Sequence, residues 1–336
     1  MGVTMMGTMR ALSIEGVTTG TEARLREVPV PEVRPGWALV RMRGFGLNHS
    51  ELELRRSEIR ADYIKKPIIP GIEGVGVVAD PADTGFAAGD KVAMLMGGMG
   101  RSWDGSYAEW CLVPATRLFK IPDAACGLSW DTLAAIPETY YTAWGSLFEG
   151  LRLEAADTLL VRGGSCALGY AAIQIAHALG SRVIATTHRD AYAERLRAFG
   201  ADEVVLDDGA LARQGICVQK ALELIGPATL VDTLGCLAPG GICCDVGILG
   251  GVYTLDRFDP IKSIPNGRYL TGFFSNYPTQ EQMDALFAFV AEHTLVPPVA
   301  ATFSFDRLPD ALALQDRGGF QGKIVVTFDE TSADGV

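Results

Sequence analysis

The seven cysteines include no C-x-x-C pair, and none of the four histidines stands at finger spacing from them. Neither a zinc finger nor a disulfide framework is encoded, and the odd cysteine count reads as a reduced, cytoplasmic protein. No apolar run approaches the ~18 residues that a bilayer span requires. Residues Met1 to Gly16 lack the basic and apolar stretches of a signal peptide, so export and a membrane partner are not expected. Positive charge is scarce: 29 Lys and Arg face 40 Asp and Glu, a net charge of −11. Binding to phosphate backbones draws on clustered Lys and Arg, which argues against nucleic acid as a partner. Internal repeats and low-complexity linkers are missing too. What is present is an ordinary globular composition, 48% hydrophobic and 21% charged over 336 residues, which at roughly 150 residues per domain predicts two domains.

The texture changes along the chain. From Arg10 to about Pro114, short apolar runs (Ala38 to Met42, Val75 to Ala79, Lys91 to Met94, Tyr107 to Val113) are broken by Gly and Pro, the pattern of a β-rich unit. Beyond a boundary near Pro137, strands alternate with helices. Leu159 to Arg162 reads as a strand, Leu168 to Leu179 as a helix and Arg182 to Thr187 as the next strand, one βαβ unit of a parallel sheet. A helix over Ala191 to Phe199 is closed by Gly200, and Val204 to Leu206, Thr229 to Thr233 and Ile242 to Gly247 read as further strands. After Gly272 come an amphipathic helix, Gln280 to His293, and two strands, Ala301 to Phe305 and Lys323 to Phe328.

Between the first strand and helix of the βαβ unit stands Gly163-Gly164-Ser165-Cys166-Ala167-Leu168-Gly169. Dinucleotide sites place glycines here so that the turn is tight, the backbone approaches the pyrophosphate and the helix packs on the strand, while the helix N-terminus offers amide donors. Gly164 and Gly169 hold the outer positions of G-x-G-x-x-G, and Cys166 replaces the middle glycine. The second strand ends in Thr187-His188-Arg189, without the acidic residue that NAD enzymes use for the ribose. Arg189 suits a 2′-phosphate, so NADPH is the expected cofactor; a solvent-facing Arg189 is the plainer reading.

These features, with Gly44-Phe45-Gly46-Leu47-Asn48-His49-Ser50-Glu51-Leu52, Pro70-Gly71-Ile72-Glu73-Gly74-Val75-Gly76, Gly89-Asp90-Lys91-Val92, Gly105-Ser106-Tyr107-Ala108-Glu109, Thr142-Ala143-Trp144, Ala198-Phe199-Gly200-Ala201-Asp202 and Gln321-Gly322-Lys323-Ile324-Val325, resemble the medium-chain dehydrogenase/reductase superfamily, specifically its zinc-free quinone oxidoreductase-like branch. The resemblance runs from about Arg10 to Phe328. It implies an α/β protein in which a GroES-like β-rich catalytic domain (1–138 and 273–336) flanks a Rossmann doubly wound parallel-sheet domain (139–272), with a cofactor cleft at their junction and a homodimer.

Zinc members of that superfamily carry ligands where this chain has Asn48, Ile72 and Glu138. A hydrocarbon and an amide cannot stand in for a Cys and a His, and only Cys111 lies near the region of the structural zinc lobe, so no metal is expected. The resemblance to the zinc-free branch implies hydride addition to a quinone or α,β-unsaturated carbonyl, in which charge on the carbonyl oxygen is met by hydrogen-bond donors. By resemblance, Asn48 is a substrate-side amide donor, Ser50 a hydroxyl of relay type, and Tyr140 or Tyr63 a proton donor. The same resemblance implies that Thr142 contacts the nicotinamide, the alternative being a buried helix hydroxyl on its own backbone, that Ser165 to Leu168 line the pyrophosphate, and that Gly247 and Ile248 bring backbone beside the nicotinamide. His49, alternating with its neighbours in an extended segment, points away from Asn48 and Ser50. Met94, Met96, Met99 and Trp103 read either as core or as an adaptable wall for a bulky apolar carbonyl or quinone. Two rivals remain: a G-x-S-x-G hydrolase elbow, imitated only in part at Gly163 to Ala167, and an NADPH-binding scaffold used for a redox-neutral reaction such as cyclisation, or as a sensor.

Overall fold

The computed structural model describes residues 7–329; the first six residues of the stretch read for a leader lie outside them. The chain divides into two compact units, one running to Glu138 and resuming at Asn276, the other Thr139–Ser275.

The first unit is β-rich. A hairpin of β1 (Thr8–Leu12) and β2 (Leu25–Pro29) precedes β3 (Trp37–Leu47), α1 (His49–Arg56), β4 (Glu73–Asp80), β5 (Lys91–Leu95), β6 (Trp110–Pro114), β7 (Leu118–Lys120) and α2 (Trp130–Ala134). α3 (Pro137–Gly145) then leads into the second unit, which holds β8 (Thr158–Arg162), α4 (Ala167–Leu179), β9 (Arg182–Thr187), α5 (Ala193–Ala198), β10 (Glu203–Leu206), β11 (Val218–Glu223), α6 (Leu230–Gly235), β12 (Leu237–Asp245), α7 (Pro260–Ser263) and β13 (Tyr269–Gly272). The chain returns to the first unit as α8 (Gln280–Glu292), β14 (Val299–Ser304), α9 (Leu308–Arg317) and β15 (Lys323–Thr327).

In the first unit the strands lie in the order β14-β15-β3-β4-β5-β7, with β6 also on β3. β3 pairs along both edges, and its residues are buried except for Trp37, Arg41 and Arg43, which are partly exposed. Phe45 stacks on Tyr107 at 4.6 Å between ring centroids and Phe305 on Phe328 at 4.5 Å, anchoring one core beneath α1 and α9. β15 runs antiparallel to β3 with Ile324 opposite Leu47, and this register sets Lys323 against Asn48.

The second unit is a six-stranded, wholly parallel sheet in the order β10-β9-β8-β11-β12-β13. Strand order reverses between β8 and β11, and open α/β sheets bind ligands beyond the carboxyl ends of such strands. Two expectations fail here. Thr229 to Thr233 is not a strand; Leu230–Gly235 is the helix α6, and the strand is Val218–Glu223. The cause is local: Glu223 accepts from the backbone N–H groups of Ile225 (2.7 Å) and Gly226 (3.0 Å) and from the Thr233 hydroxyl, closing a turn that starts the helix. His49, likewise, lies in a helix and not in an extended segment, 3.5 Å from Glu53 one turn on. Among the described residues no helix is long and apolar enough to cross a membrane.

Candidate active site

In the first unit the residues singled out around Asn48 are bound into one buried polar cluster. Asn48 caps α1 and is 9% exposed. Its Nδ2 donates to Glu73 Oε1 at 2.9 Å, and its Oδ1 accepts from the Lys323 ammonium. Lys323 Nζ also lies 2.6 Å from Glu73 Oε1. Both carboxylates of the cluster hold backbone: Glu51 accepts from the N–H of Asn48 and of Ile72, each at 2.8 Å, and Glu73 Oε2 from the N–H of Glu138, also at 2.8 Å. Positions 48, 72 and 138 are thus tied together by Glu51 and Glu73. Burial pushes the Glu51 carboxyl above its usual range, against the Ile72 N–H and the cations of Arg101 and Lys323. Gly46 makes the cluster possible: a Cβ there would lie 2.2 Å from Lys323 Cε and 2.7 Å from Glu73 Oε1. The expectation that Asn48 donates to a substrate is corrected, because both ends of its amide are committed to buried charges.

Ser50 and Tyr63 are linked through two side chains that the sequence reading passed over. Arg101 Nη2 donates to Ser50 Oγ at 2.8 Å, and its Nε donates to Glu58 Oε1 at 2.9 Å. Tyr63 donates to the same Glu58 oxygen at 2.9 Å, with its ring 67% exposed. That hydrogen bond, ahead of burial and of the Glu58 charge, raises the Tyr63 phenol above its usual range. A phenol whose proton is held by a carboxylate is a poor acid, which corrects its assignment as proton donor. Ser50 alone of the catalytic candidates keeps a hydroxyl hydrogen with no acceptor among the described residues.

In the second unit, Gly163 donates to Thr186 Oγ1 and Gly164 to the Thr186 carbonyl, both at 3.0 Å, folding the turn onto β9. Gly169 is obligatory at its position, since a Cβ would meet the Gly164 carbonyl oxygen at 2.4 Å. Cys166 is the N-cap of α4, its sulfur accepting from the Gly169 N–H at 3.3 Å, and burial raises its pKa, so the group remains a neutral thiol. Ser165, Ala167 and Leu168 are partly exposed beside it. At the end of β9, Thr187 is buried with its hydroxyl on the backbone of Arg189, while His188 and Arg189 are exposed. Arg189 donates to Tyr192 Oη at 3.0 Å and to His188 Nε2 at 3.2 Å. Thr142 is buried on α3; Gly247 and Ile248 follow β12, partly exposed.

Two findings here were not foreseen. Arg162, at the end of β8 where the strand order reverses, is sealed from solvent and pairs with both oxygens of Asp207 (2.8 Å each) and with Asp232 (2.7 Å). Tyr140 is also fully buried and donates its hydroxyl to Gln174 on α4; burial pushes the phenol well above its usual range. A hydroxyl enclosed in this way does not meet a substrate, so Tyr140 is withdrawn as a proton donor.

The donor chemistry decides the fit of the two groups that the fold suggests. Zinc does not fit: of the three positions, Ile72 offers a hydrocarbon, Asn48 Oδ1 already holds the Lys323 ammonium, and a second cation beside that ammonium is repelled. A dinucleotide does fit: the turn closes to van der Waals contact only because position 169 lacks a side chain, and the N-terminus of the 13-residue α4 offers a partial positive charge to a pyrophosphate.

Residues 34–123 match the alcohol dehydrogenase GroES-like domain family, and residues 199–326 the zinc-binding dehydrogenase family. The chain is 29% identical over 272 residues to the polyketide synthase GfsB of Streptomyces halstedii, covering 78% of this chain but only 5% of that protein's length. It is 27% identical over 338 residues to an alcohol dehydrogenase of Geobacillus stearothermophilus, covering 91% of this chain and 96% of the relative. It is 23% identical over 350 residues to the acryloyl-coenzyme A reductase of Metallosphaera sedula, covering 95% and 100%. Among solved structures, AibC superposes with a TM-score of 0.85 at 25% identity, covering 97% of each chain. With both domain families matched in the order that the fold requires, the chain belongs to the medium-chain dehydrogenase/reductase superfamily.

Proposed function

We propose that this oxidoreductase transfers hydride from NADPH to a quinone or an α,β-unsaturated carbonyl, without zinc. The observation that carries the reading is the Lys323 ammonium seated on Asn48 and Glu73, with Ile72 beside them. A zinc enzyme of this fold polarises an alcohol or isolated ketone with a Lewis acid on its oxygen; a conjugated acceptor spreads the charge, which hydrogen-bond donors then stabilise. Similarity to an acryloyl-coenzyme A reductase supports an enoyl thioester among the conjugated acceptors.

The turn Gly164 to Gly169 and the α4 N-terminus would hold the pyrophosphate, with Thr142, Gly247 and Ile248 at the nicotinamide and Thr187, His188 and Arg189 at the adenosine ribose. The bound cofactor supplies the hydride. Cys166, kept neutral by burial, adds no negative charge beside the phosphates. Arg189, exposed at the end of β9, presents a guanidinium to a 2′-phosphate. Ser50 donates a hydrogen bond to the acceptor's carbonyl oxygen, and the proton for the α-carbon comes from water. The apolar, exposed Tyr269 on the edge strand β13, with Ile261 89% exposed nearby in sequence, supports a homodimer joined along that edge.

Oxidation of NADPH against a panel of quinones, enones and enoyl thioesters, with NADH as control and a chelator in parallel, tests the reading. Chelator-independent turnover with NADPH is the expected result, and no turnover on any acceptor overturns it. Cys166 at the middle position of the turn favours a second reading, a scaffold that binds NADPH for a redox-neutral reaction. Tight NADPH binding without oxidation selects it.

A further inference from the structure

A hydroxyl has one hydrogen to give and two lone pairs to receive, and a serine in the first turn of a helix often turns that hydrogen back onto a nearby carbonyl. Ser50 is held otherwise. Arg101 Nη2 donates to its Oγ at 2.8 Å and to its main-chain oxygen at 3.0 Å. The guanidinium is itself fixed: Nε and Nη2 lie 2.9 Å from the two oxygens of Glu58, Nη1 donates to the Gly100 carbonyl at 3.2 Å, and the side chain is 15% exposed. We propose that Arg101 is the positioning residue that makes Ser50 a hydrogen-bond donor to the acceptor's carbonyl oxygen. This inference rests on the conjugated-carbonyl reduction set out above.

The geometry has two consequences. A cationic donor on a lone pair of Oγ polarises the O–H bond and strengthens its donation. It also occupies the side of the oxygen that faces Arg101, so the hydrogen is directed elsewhere. During reduction, hydride forms a C–H bond at the β-carbon while the C=C electron pair moves through the conjugated system onto the carbonyl oxygen. Ser50 meets that oxygen with its O–H and keeps its proton; water protonates the α-carbon. Glu58 balances the Arg101 charge, so the guanidinium acts through Ser50 and does not draw anions to the site. A lysine at position 101 would be a point charge without the planar fork that holds Ser50 and Glu58 together.

The test is a double-mutant cycle on the acceptor that the panel identifies. Ser50→Ala and Arg101→Gln are each expected to lower kcat by about 100-fold, at the low end for loss of an oxyanion donor. The dissociation constant for NADPH should not change. The double variant should be no slower than Ser50→Ala alone, because Arg101 then has nothing to act through. Arg101→Lys should recover only part of the rate. If Arg101→Gln fails to fold, Glu58→Gln carries the same test, with a smaller loss of kcat that disappears in the Ser50→Ala background. Independent, additive losses, or an Arg101→Gln enzyme within twofold of the parent, overturn the inference and leave the proposed function standing. A parent protein that turns over no acceptor overturns both.

Discussion

Lys323 Nζ stands 2.6 Å from Glu73 Oε1, with the two side chains 3% and 0% exposed, so a complete ion pair is enclosed within the β-rich unit. Such a pair is costly to bury and costlier to break, because removal of one partner strands the other. Lys323→Met should therefore lower stability by about 3–5 kcal/mol. Pairing it with Glu73→Gln should restore only part of the loss, since Asn48 and the Glu138 N–H also rely on that carboxylate. Urea unfolding of the two variants measures this; a single-variant loss under about 1 kcal/mol, the range of an exposed pair, contradicts it.

Gly46 lets the lysine cross β3 to reach its partner. A methyl group at position 46 would sit 2.2 Å from Lys323 Cε, inside any real contact distance, and it would displace the ammonium from Glu73. Gly46→Ala is expected to be nearly as damaging as Lys323→Met. In a Lys323→Ala background, where Cε is gone, Gly46→Ala should add less, the crowding that remains being against Glu73 Oε1 at 2.7 Å. Equal effects of Gly46→Ala in the two backgrounds, read from denaturation midpoints, would show that the glycine serves some other contact.

One contribution to the pH dependence follows from Glu51, whose carboxyl burial pushes above its ordinary range, as it does those of Glu223 and Asp245. A carboxyl raised in the folded state is protonated there while its unfolded counterpart has already ionised, so folding stability falls as pH rises between the two values. Stability is highest below the ordinary carboxylate pKa and levels off above the folded-state one. Glu51→Gln removes the Glu51 share of this slope, but it sets an amide N–H against a backbone N–H of Asn48 or Ile72. The variant should be weaker by about 1–2 kcal/mol near neutral pH and flatter across the acid limb. Chemical denaturation over a pH series checks both; an unchanged slope assigns the raised pKa to another group.

Much of this was legible, and the failures have physical causes. The glycine turns and the strand–helix alternation of the dinucleotide-binding unit are local signals, and α4, β8 and β9 match the spans read from them to within a residue or so. β11 was missed and α6 misread because Thr229 to Thr233 is rich in β-branched residues, whereas its helix is set by Glu223 from the preceding strand. Lys323 and Glu73 both lie in motifs that carried the family resemblance. Their pairing spans the chain and depends on the β15–β3 register, which sequence does not display. Arg101 and Glu58 belong to no motif, so the hold on Ser50 became visible only in three dimensions. Tyr140 was a fair candidate by position, but its burial and the hydrogen bond of its hydroxyl to Gln174 on α4 are tertiary features that sequence does not display.

Cofactor choice turns on Arg189. Its guanidinium stacks 5.6 Å from the Tyr192 ring centroid and donates to Tyr192 Oη, so the side chain is poised at the end of β9 and is not loose in solvent. Thr187, the residue where an acidic group would repel a 2′-phosphate, spends its hydroxyl on the Arg189 backbone and carries no charge. If Arg189 binds the phosphate, Arg189→Ala should raise KM for NADPH by about tenfold, the worth of one charge-assisted hydrogen bond. NADH, which lacks that phosphate, should change by less than twofold, and kcat with either cofactor should hold because the ribose is remote from the hydride. Arg189→Glu should go further and invert the preference. An equal rise in KM for both cofactors would mean that Arg189 only shapes the turn with Tyr192, and the plainer, solvent-facing reading of this arginine would then stand.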